Sequence, residues 1–480
     1  MNPGFHRRDL LAGFGAGFGM LALRGLLGRE AAAAETHRAS ASAARADNPL
    51  AALPPHFAAR AKSVIFLFMY GGPSHVDLFD PKPALAKWNG KPIPVFRQED
   101  AFRKGSKNAA LASPFKFARH GQSGIDISEA YPQLAKHADE LCVIRSMNAE
   151  SNNHGPALFQ MQSGSLLSGR PSIGSWATYG LGTENENLPA FVVMMDHQGA
   201  PVNGAMNWSN GFMPAAYQGV PFRTSGDPIA YLQPPPGVSQ DRQRARLDLL
   251  SRWNERHKTG SAAESALSAR IASYELAYRM QSHAADAVDL ADEPEHMHRA
   301  YGLDNKTTAH FGRNCLLARR LVERGVRFVQ VYSGGNEGPR AWDAHDDVKK
   351  NHELHCSETD GPIAALLSDL KQRGLLESTL VVWGGEFGRT PFAEDGKGRD
   401  HHAKAFTMWL AGGGIRGGTV YGESDEFGYN VARDPVTVPD LHATCLHLLG
   451  LDHTRLTYPH LGRNYRLTDV SGNVLHSLIA

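Results

Sequence analysis

Histidines and carboxylates in this chain gather just after apolar runs. His75 and Asp77 follow Ser63 to Tyr70, His154 follows Leu141 to Arg145, Asp343 and His345 follow Arg327 to Tyr332, and Glu386 follows Thr379 to Trp383. Asp400, His401 and His402 read as a fifth such group, between that run and the next, Phe406 to Ala411. Imidazole and carboxylate donors in this mix suit Zn, Mn or Fe better than Ca. A divalent metal among them would polarise a phosphate or sulfate ester and make a water or a side chain nucleophilic. Arg389 and Arg399 stand nearby, and their forked hydrogen bonds match the oxygens of such an anion. Each member also has a plainer reading. Asp and His cap helices, Glu386 could pair only with Arg389, and a lone His75 or His154 could be a hydrogen-bonded loop residue. His352 and His355, three apart on a helical stretch, read as a solvated face. The constellation is more specific than any member, although it lacks a compact signature such as the zincin helix.

Such residues need a scaffold that brings distant segments to one edge. The apolar runs are continuous rather than alternating, as in strands buried on both faces of a parallel sheet. Pro189 to Met195 is one more of them. Helical patterns lie between: Tyr131 to Leu141, a helix opening near His154 and Pro156, Asn314 to Arg324, the first half of Pro362 to Pro391, and a loop and helix over Pro435 to Gly450. Strands alternating with helices imply an α/β fold with a mostly parallel central sheet flanked by helices. In such sheets ligands sit beyond the carboxyl ends of the strands. Between about residues 235 and 300 the pattern changes. Leu247, Leu250 and Trp253, then Leu267, Ile271, Tyr274 and Tyr278, recur at helical spacing among Arg and Glu. This reads as a helical insertion beside the sheet.

The 480 residues are 42% hydrophobic and 21% charged, enough for a sizeable core. A formal net charge of +1 gives no bulk electrostatic case for nucleic acid or an anionic membrane. At the amino terminus, Arg7-Arg8 precedes Leu10-Leu11, a Gly-rich apolar run and Ala31 to Ala34. That is the pattern of a twin-arginine signal over residues 1–34, so the expected partner is the twin-arginine (Tat) export machinery and the expected location periplasmic or secreted. Losing it removes four arginines and two acids, which turns +1 into −1. Its apolar run is too short for a stable transmembrane span, and no other run is apolar enough. The Ala/Ser/Pro-rich residues 35–60 read as a flexible leader. The four cysteines lie far apart in apolar or helical contexts, which favours buried thiols. No Gly-x-Ser-x-Gly elbow is present, and Gly412-Gly413-Gly414 lacks the partners of a Walker or Rossmann loop.

Trp342-Asp343-x-His345, Gly385-Glu386-Phe387-Gly388-Arg389-Thr390-Pro391 and Gly398-Arg399-Asp400-His401 resemble the domain-of-unknown-function 1501 family of twin-arginine-exported bacterial proteins. The resemblance covers nearly all of residues 60–480. Two further segments, Gly374 to Trp383 and Pro439 to Leu451, look like stretches of sulfatases and related alkaline-phosphatase enzymes. The family implies an alkaline-phosphatase/sulfatase-like fold over residues 61–480, and some members are labelled sulfatases. The departures are specific. In the sulfatase pattern Cys/Ser-x-Pro-x-Arg, His154 takes the nucleophile position and Leu158 the Arg position, which excludes formylglycine chemistry. Glu386 replaces a metal-binding Asp. Gly71-Gly72 replaces an acidic pair, with His75 and Asp77 as substitutes.

The resulting expectation is a sulfatase-like, metal-dependent hydrolase of sulfate, phosphate or related esters, with a small-molecule or glycan ester as substrate. Asp77, Asp343, His345, Glu386 and His401 would hold the divalent metal. His154 and His75 would be catalytic, and Arg389, Arg399 and Asn153 would bind substrate. The nucleophile would be a metal-activated water or, second, Ser151. The alternative is a non-catalytic binding or scaffold protein that retains the fold.

Overall fold

Strands without polar alternation are buried on both faces, and here they form one sheet. The computed structural model describes residues 48–94, 109–223, 229, 237–258, 274–280, 286–336, 338–394 and 396–480. The central strands are Ser63–Met69 (β1), Leu141–Asn148 (β2), Phe191–Met194 (β3), Val220–Phe222 (β4), Phe328–Ser333 (β5) and Thr379–Gly384 (β6). A hairpin of Gly388–Ala393 (β7) and Arg399–His402 (β8) precedes Phe406–Ala411 (β9), and Thr419–Tyr421 (β10) and Val436–Thr437 (β11) complete the set. The nine-stranded sheet runs β10-β2-β9-β6-β1-β5-β3-β4, with β11 also paired to β2. All pairings are parallel except those of β9, which is antiparallel to both β2 and β6.

Two details of register position the site. Met69 lies beside Ser333 and Phe68 beside Gly384, so the chain leaves β1, β5 and β6 at one edge. Because β9 runs the other way, its start reaches that same edge, and Phe406 pairs with Met147 near the end of β2. Residues 399–402 are delivered there by the reversal of a single strand.

The period-two alternation of a strand divides the core. Ile65, Leu67 and Met69 face one cluster, and Val64, Phe66 and Phe68 face the other. The first cluster packs on Ala309–Glu323 (α5) and Val348–Gln372 (α6). The second packs on His154–Ser163 (α2), Ile173–Leu181 (α3) and Val438–Leu448 (α7), while the four-residue His75–Leu78 helix (α1) after β1 sends Leu78 into the first cluster. The expected α/β architecture with a mostly parallel sheet is present. All four cysteines are buried free thiols.

Several local expectations change. The helix expected to open at Pro362 begins fourteen residues earlier, after Asp347, whose carboxylate accepts from Lys350 N at 3.0 Å. Pro362 sits inside it, and burial of Ile363, Leu366 and Leu367 offsets the hydrogen bond lost there. Tyr131 to Leu141 holds a 3₁₀ helix over Leu134–Glu140, interrupted at His137. The flexible leader expected over 35–60 is fixed from residue 48. Leu50 and Leu53 are buried, and Leu53 N, His56 N and Arg60 N donate to Leu181 O, Gly450 O and Leu448 O at 2.8, 2.9 and 2.8 Å. The signal expected over 1–34 and the rest of that leader lie outside the described residues. Of the insertion, Gln240–Lys258 (α4) and Glu295–Ala300 are helical, and Arg244 makes a two-pronged pair with Glu275 at 2.8 and 2.7 Å. Residues 259–273 and 281–285 lie outside the described residues. Among the described residues, no helix is long and apolar enough to cross a membrane.

Candidate metal centre

Two glycines let the loops at this edge close on one another. Gly71 follows β1 at φ +114°, and a Cβ there would lie 2.6 Å from Trp342 N and 2.7 Å from Asp343 N. Gly398 has less room still: a Cβ would fall 1.4 Å from His345 O. With both side chains absent, the segment after β5 threads between the end of β1 and the β7–β8 hairpin. Arg399 N donating to Ala344 O at 2.9 Å ties it down. The hairpin carries a bulge between Arg399 and His401. Bulges re-aim side chains, and here Asp400 and His401 both join the donor groups that face His345.

The centre is the Oδ1 atom of Asp343. His345 Nε2 lies 2.9 Å from it, His401 Nε2 3.1 Å, and His154 Nε2 3.4 Å. The Nε2 atoms of His345 and His401 are 2.9 Å apart. Each imidazole is held from behind. His154 Nδ1 meets Glu386 Oε1 at 2.6 Å, His345 Nδ1 meets Glu394, and His401 Nδ1 meets Asn152 O at 2.8 Å. Anchoring one ring nitrogen on a carboxylate or carbonyl so that the other faces inward is how metal-binding histidines are oriented. Phe387 packs against His154 and His401, with ring centroids at 4.9 and 4.7 Å, and Tyr70 lies 5.6 Å from His154. The donors remain 9–26% exposed, so the cluster is not sealed from solvent.

The protonation pattern is uneven. Burial opposes charge on His154, but Asp343 and Glu386 outweigh it and lift its pKa to about 9. Burial wins at His401 and pushes it down to about 3 despite Asp343. His345 is raised, since Asp343 outweighs its burial. Asp343 is held far below the usual carboxylate range, its burial overcome by three imidazoles and Arg389.

The other expected site residues fall elsewhere. Glu386 is fully buried behind His154, where it also accepts from Gly71 N at 3.0 Å, so it orients an imidazole rather than joining the cluster. Asp77 is buried against Arg399 at 2.6 and 3.0 Å and accepts from Ser74 Oγ at 2.5 Å. Both arginines are buried and turned inward. Arg389 donates to Gly72 O, Arg399 O, Gly71 O and Asp343, and Arg399 to Asp77, Thr390 O and Leu111 O. All three nitrogens of each guanidinium are engaged, which corrects the expectation that they clamp an anion. His75 is buried too, with Nε2 2.9 Å from Gly428 O and its ring stacked on His402. It belongs to a layer under the hairpin, because alternation sends His401 and His402 to opposite faces. Asn153 caps α2, its side chain accepting from Gly155 N at 3.2 Å, and Ser151 Oγ bonds to Asn153 O at 3.4 Å.

His352 and His355 are buried rather than solvated. Ser74 N donates to His352 Nε2 at 2.9 Å, and His355 stacks on Trp342, which steadies the segment leading to Asp343. Glu394, the partner of His345, has no counterpart among the sequence expectations. Its signal was the Asp395-Gly396 turn pair, which implies a hairpin that folds residues 388–394 back on 399–402.

No curated protein matches this chain. Its solved structural neighbours include Ps i-CgsB, solved with k-i-k-neocarrahexaose, at a TM-score of 0.36 and 11% identity over 81% of this chain and 72% of that one. The PsFucS1 sulfatase from Pseudoalteromonas sp. aligns at 0.34 and 13% over 82% and 68%. A protein in the alkaline phosphatase superfamily from Vibrio parahaemolyticus aligns at 0.33 and 10% over 85% and 71%. Likenesses this remote carry no argument about chemistry. The family described as "Protein of unknown function (DUF1501)" matches residues 61–479, and the chain belongs to that family.

Proposed function

We propose that this protein is an exported, metal-dependent hydrolase of sulfate, phosphate or related esters of small molecules or glycans. Asp343, His345 and His401 would hold the metal, with His154 as the proton-carrying group. One observation carries the reading. His401 Nδ1 faces a carbonyl, Asn152 O, and must carry its proton there. Its Nε2 then faces the Asp343 carboxylate at 3.1 Å and His345 Nε2 at 2.9 Å. Asp343 Oδ1, His345 Nε2 and His401 Nε2 all lie within 3.1 Å of one another, a convergence of ligand atoms that suits a shared cation. Two imidazoles with one carboxylate fit Zn, Mn or Fe.

Such an ion would polarise an ester oxygen and activate water. His154 lies between Asp343 and Glu386, which hold a proton on it facing the cluster. It is the group suited to protonate a departing alkoxide as water adds to the sulfur or phosphorus and the ester bond breaks. Phe387 and Tyr70 shield this side from bulk water. The amino end of α2, which begins at His154, favours the negative charge of the ester group. Export through the twin-arginine machinery to the periplasm is part of the same proposal and rests on Arg7-Arg8 and the apolar run after them.

The test is metal analysis of protein purified without chelator, together with turnover of aryl sulfate and aryl phosphate esters. About one equivalent of Zn, Mn or Fe should be lost in His401→Ala and His345→Ala, together with turnover. Wild-type protein without stoichiometric metal would defeat the reading. A binding or scaffold role is the second reading, favoured by the inward commitment of Arg389 and Arg399. Bound metal with no turnover of any ester would select it.

A further inference from the structure

A second group of metal-binding side chains meets away from Asp343, at the end of β3. Asp196, His197 and His310 each bring one donor atom within 4.8 Å of the others. Asp196 is buried and fixed by backbone amides: Oδ1 accepts from Gln198 N at 2.8 Å and Oδ2 from Gly334 N at 2.9 Å. His197 Nδ1 lies 2.9 Å from Oδ1. His310 comes from the first turn of α5, with its Nε2 3.8 Å from Oδ2 and its ring centroid 3.8 Å from that of His197.

A surface ion pair would account for Asp196 and His197 alone. It leaves His310 unexplained, because its Nε2 is buried, has no hydrogen-bond partner and points at a carboxylate beyond hydrogen-bond reach. Buried ring nitrogens without partners are uncommon and call for a cause. A cation shared by all three residues would engage that nitrogen and separate two imidazoles that now crowd one another. Two imidazoles and one carboxylate select borderline transition metals over Ca or Mg. His197 is 44% exposed, which leaves the outer side open to water or a further ligand, as in three-residue zinc sites.

We infer that Asp196, His197 and His310 form a second divalent transition-metal site, separate from the Asp343 centre and independent of its chemistry. It ties the loops after β3 and β5 to the start of α5.

Zn²⁺ titration of the chelator-stripped full chain, read by calorimetry and by metal content after desalting, tests this. His197→Ala should bind one equivalent fewer than wild type, or bind that equivalent more than ~10-fold more weakly, since losing even an outer partner of a ligand has that effect. His197 is half exposed, so this variant should melt like wild type in metal-free buffer. His310→Ala should show the same loss. A variant with His345 and His401 both changed to Ala should keep this equivalent, whatever becomes of the first centre. Unchanged stoichiometry and affinity in His197→Ala and His310→Ala would overturn the inference.

Discussion

Two clusters of charged side chains in this protein solve opposite problems. Beneath the sheet, Arg319 meets Glu293 at 2.6 Å, Glu323 at 2.7 Å and Asp369 at 2.8 Å. Arg320 joins Glu293, Arg373 reaches Asp369 at 2.6 Å, and Tyr301 donates to Asp369 at 3.0 Å. Three guanidiniums balance three carboxylates, and Arg319, Glu293 and Asp369 at its heart are buried. The cations keep their charge at any ordinary pH. The Asp343 cluster instead gathers three imidazoles, beside the single guanidinium of Arg389, on one carboxylate oxygen, leaves them partly exposed, and places further anchors behind the rings. A closed set of permanent charges can only hold the fold. An open set of groups that gain and lose protons or bind cations can do chemistry.

Substitutions can break this contrast. The largest effect should come from His154→Gln, which lowers ester turnover by ~10²–10⁴ while metal content stays at the wild-type level. Loss of metal in that variant would make His154 a ligand and erase its separate role. Next, Arg319→Met should cost ~3–5 kcal/mol in urea unfolding, because Glu293 and Asp369 each lose their buried partner at the heart of the network. A loss below about 1 kcal/mol would show that Arg320 and Arg373 suffice. Glu394→Gln should weaken Zn²⁺ binding at the Asp343 centre by ~10–100-fold through His345, with little change in unfolding of the metal-free protein.

The smallest effect concerns pH. Burial opposes charge on Glu293, but hydrogen bonds from Arg320 and Arg319 outweigh it and hold its pKa below the ordinary 4.5. Its contribution is therefore present above about pH 4.5 and is lost as pH falls through the lower folded value. Unfolding free energy should decline on acidification below that point, with a slope of at most ~1.4 kcal/mol per pH unit from this group. Glu293→Gln should flatten that part of the profile. An unaltered profile would assign the acid sensitivity to other carboxylates.

The strands were legible because each is a continuous apolar run with few rivals in helix-period patterning. Phe406 to Ala411 matches β9 residue for residue, and Thr379 to Trp383 differs from β6 by one. The sequence also pointed to Asp343 and His345, because donors that follow apolar runs share an edge in a parallel sheet, whereas His401 reaches that edge by preceding the antiparallel β9. Roles within the cluster were less legible. Glu386 and Asp77 have the same chemistry as ligands, yet one backs His154 and the other neutralises Arg399. Asp347 rather than Pro362 opens α6, since a helix with so much buried surface tolerates one missing amide.

Residue type and pattern alone determined that the chain builds an α/β sheet with imidazoles and carboxylates beyond its strand ends. Only tertiary structure decided which of them meet. The reversal of β9, the close approaches at Gly71 and Gly398 and the bulge at Asp400 are matters of strand direction and of contacts measured in tenths of an ångström. Those contacts lie between residues far apart in the chain, where local pattern carries no information about orientation.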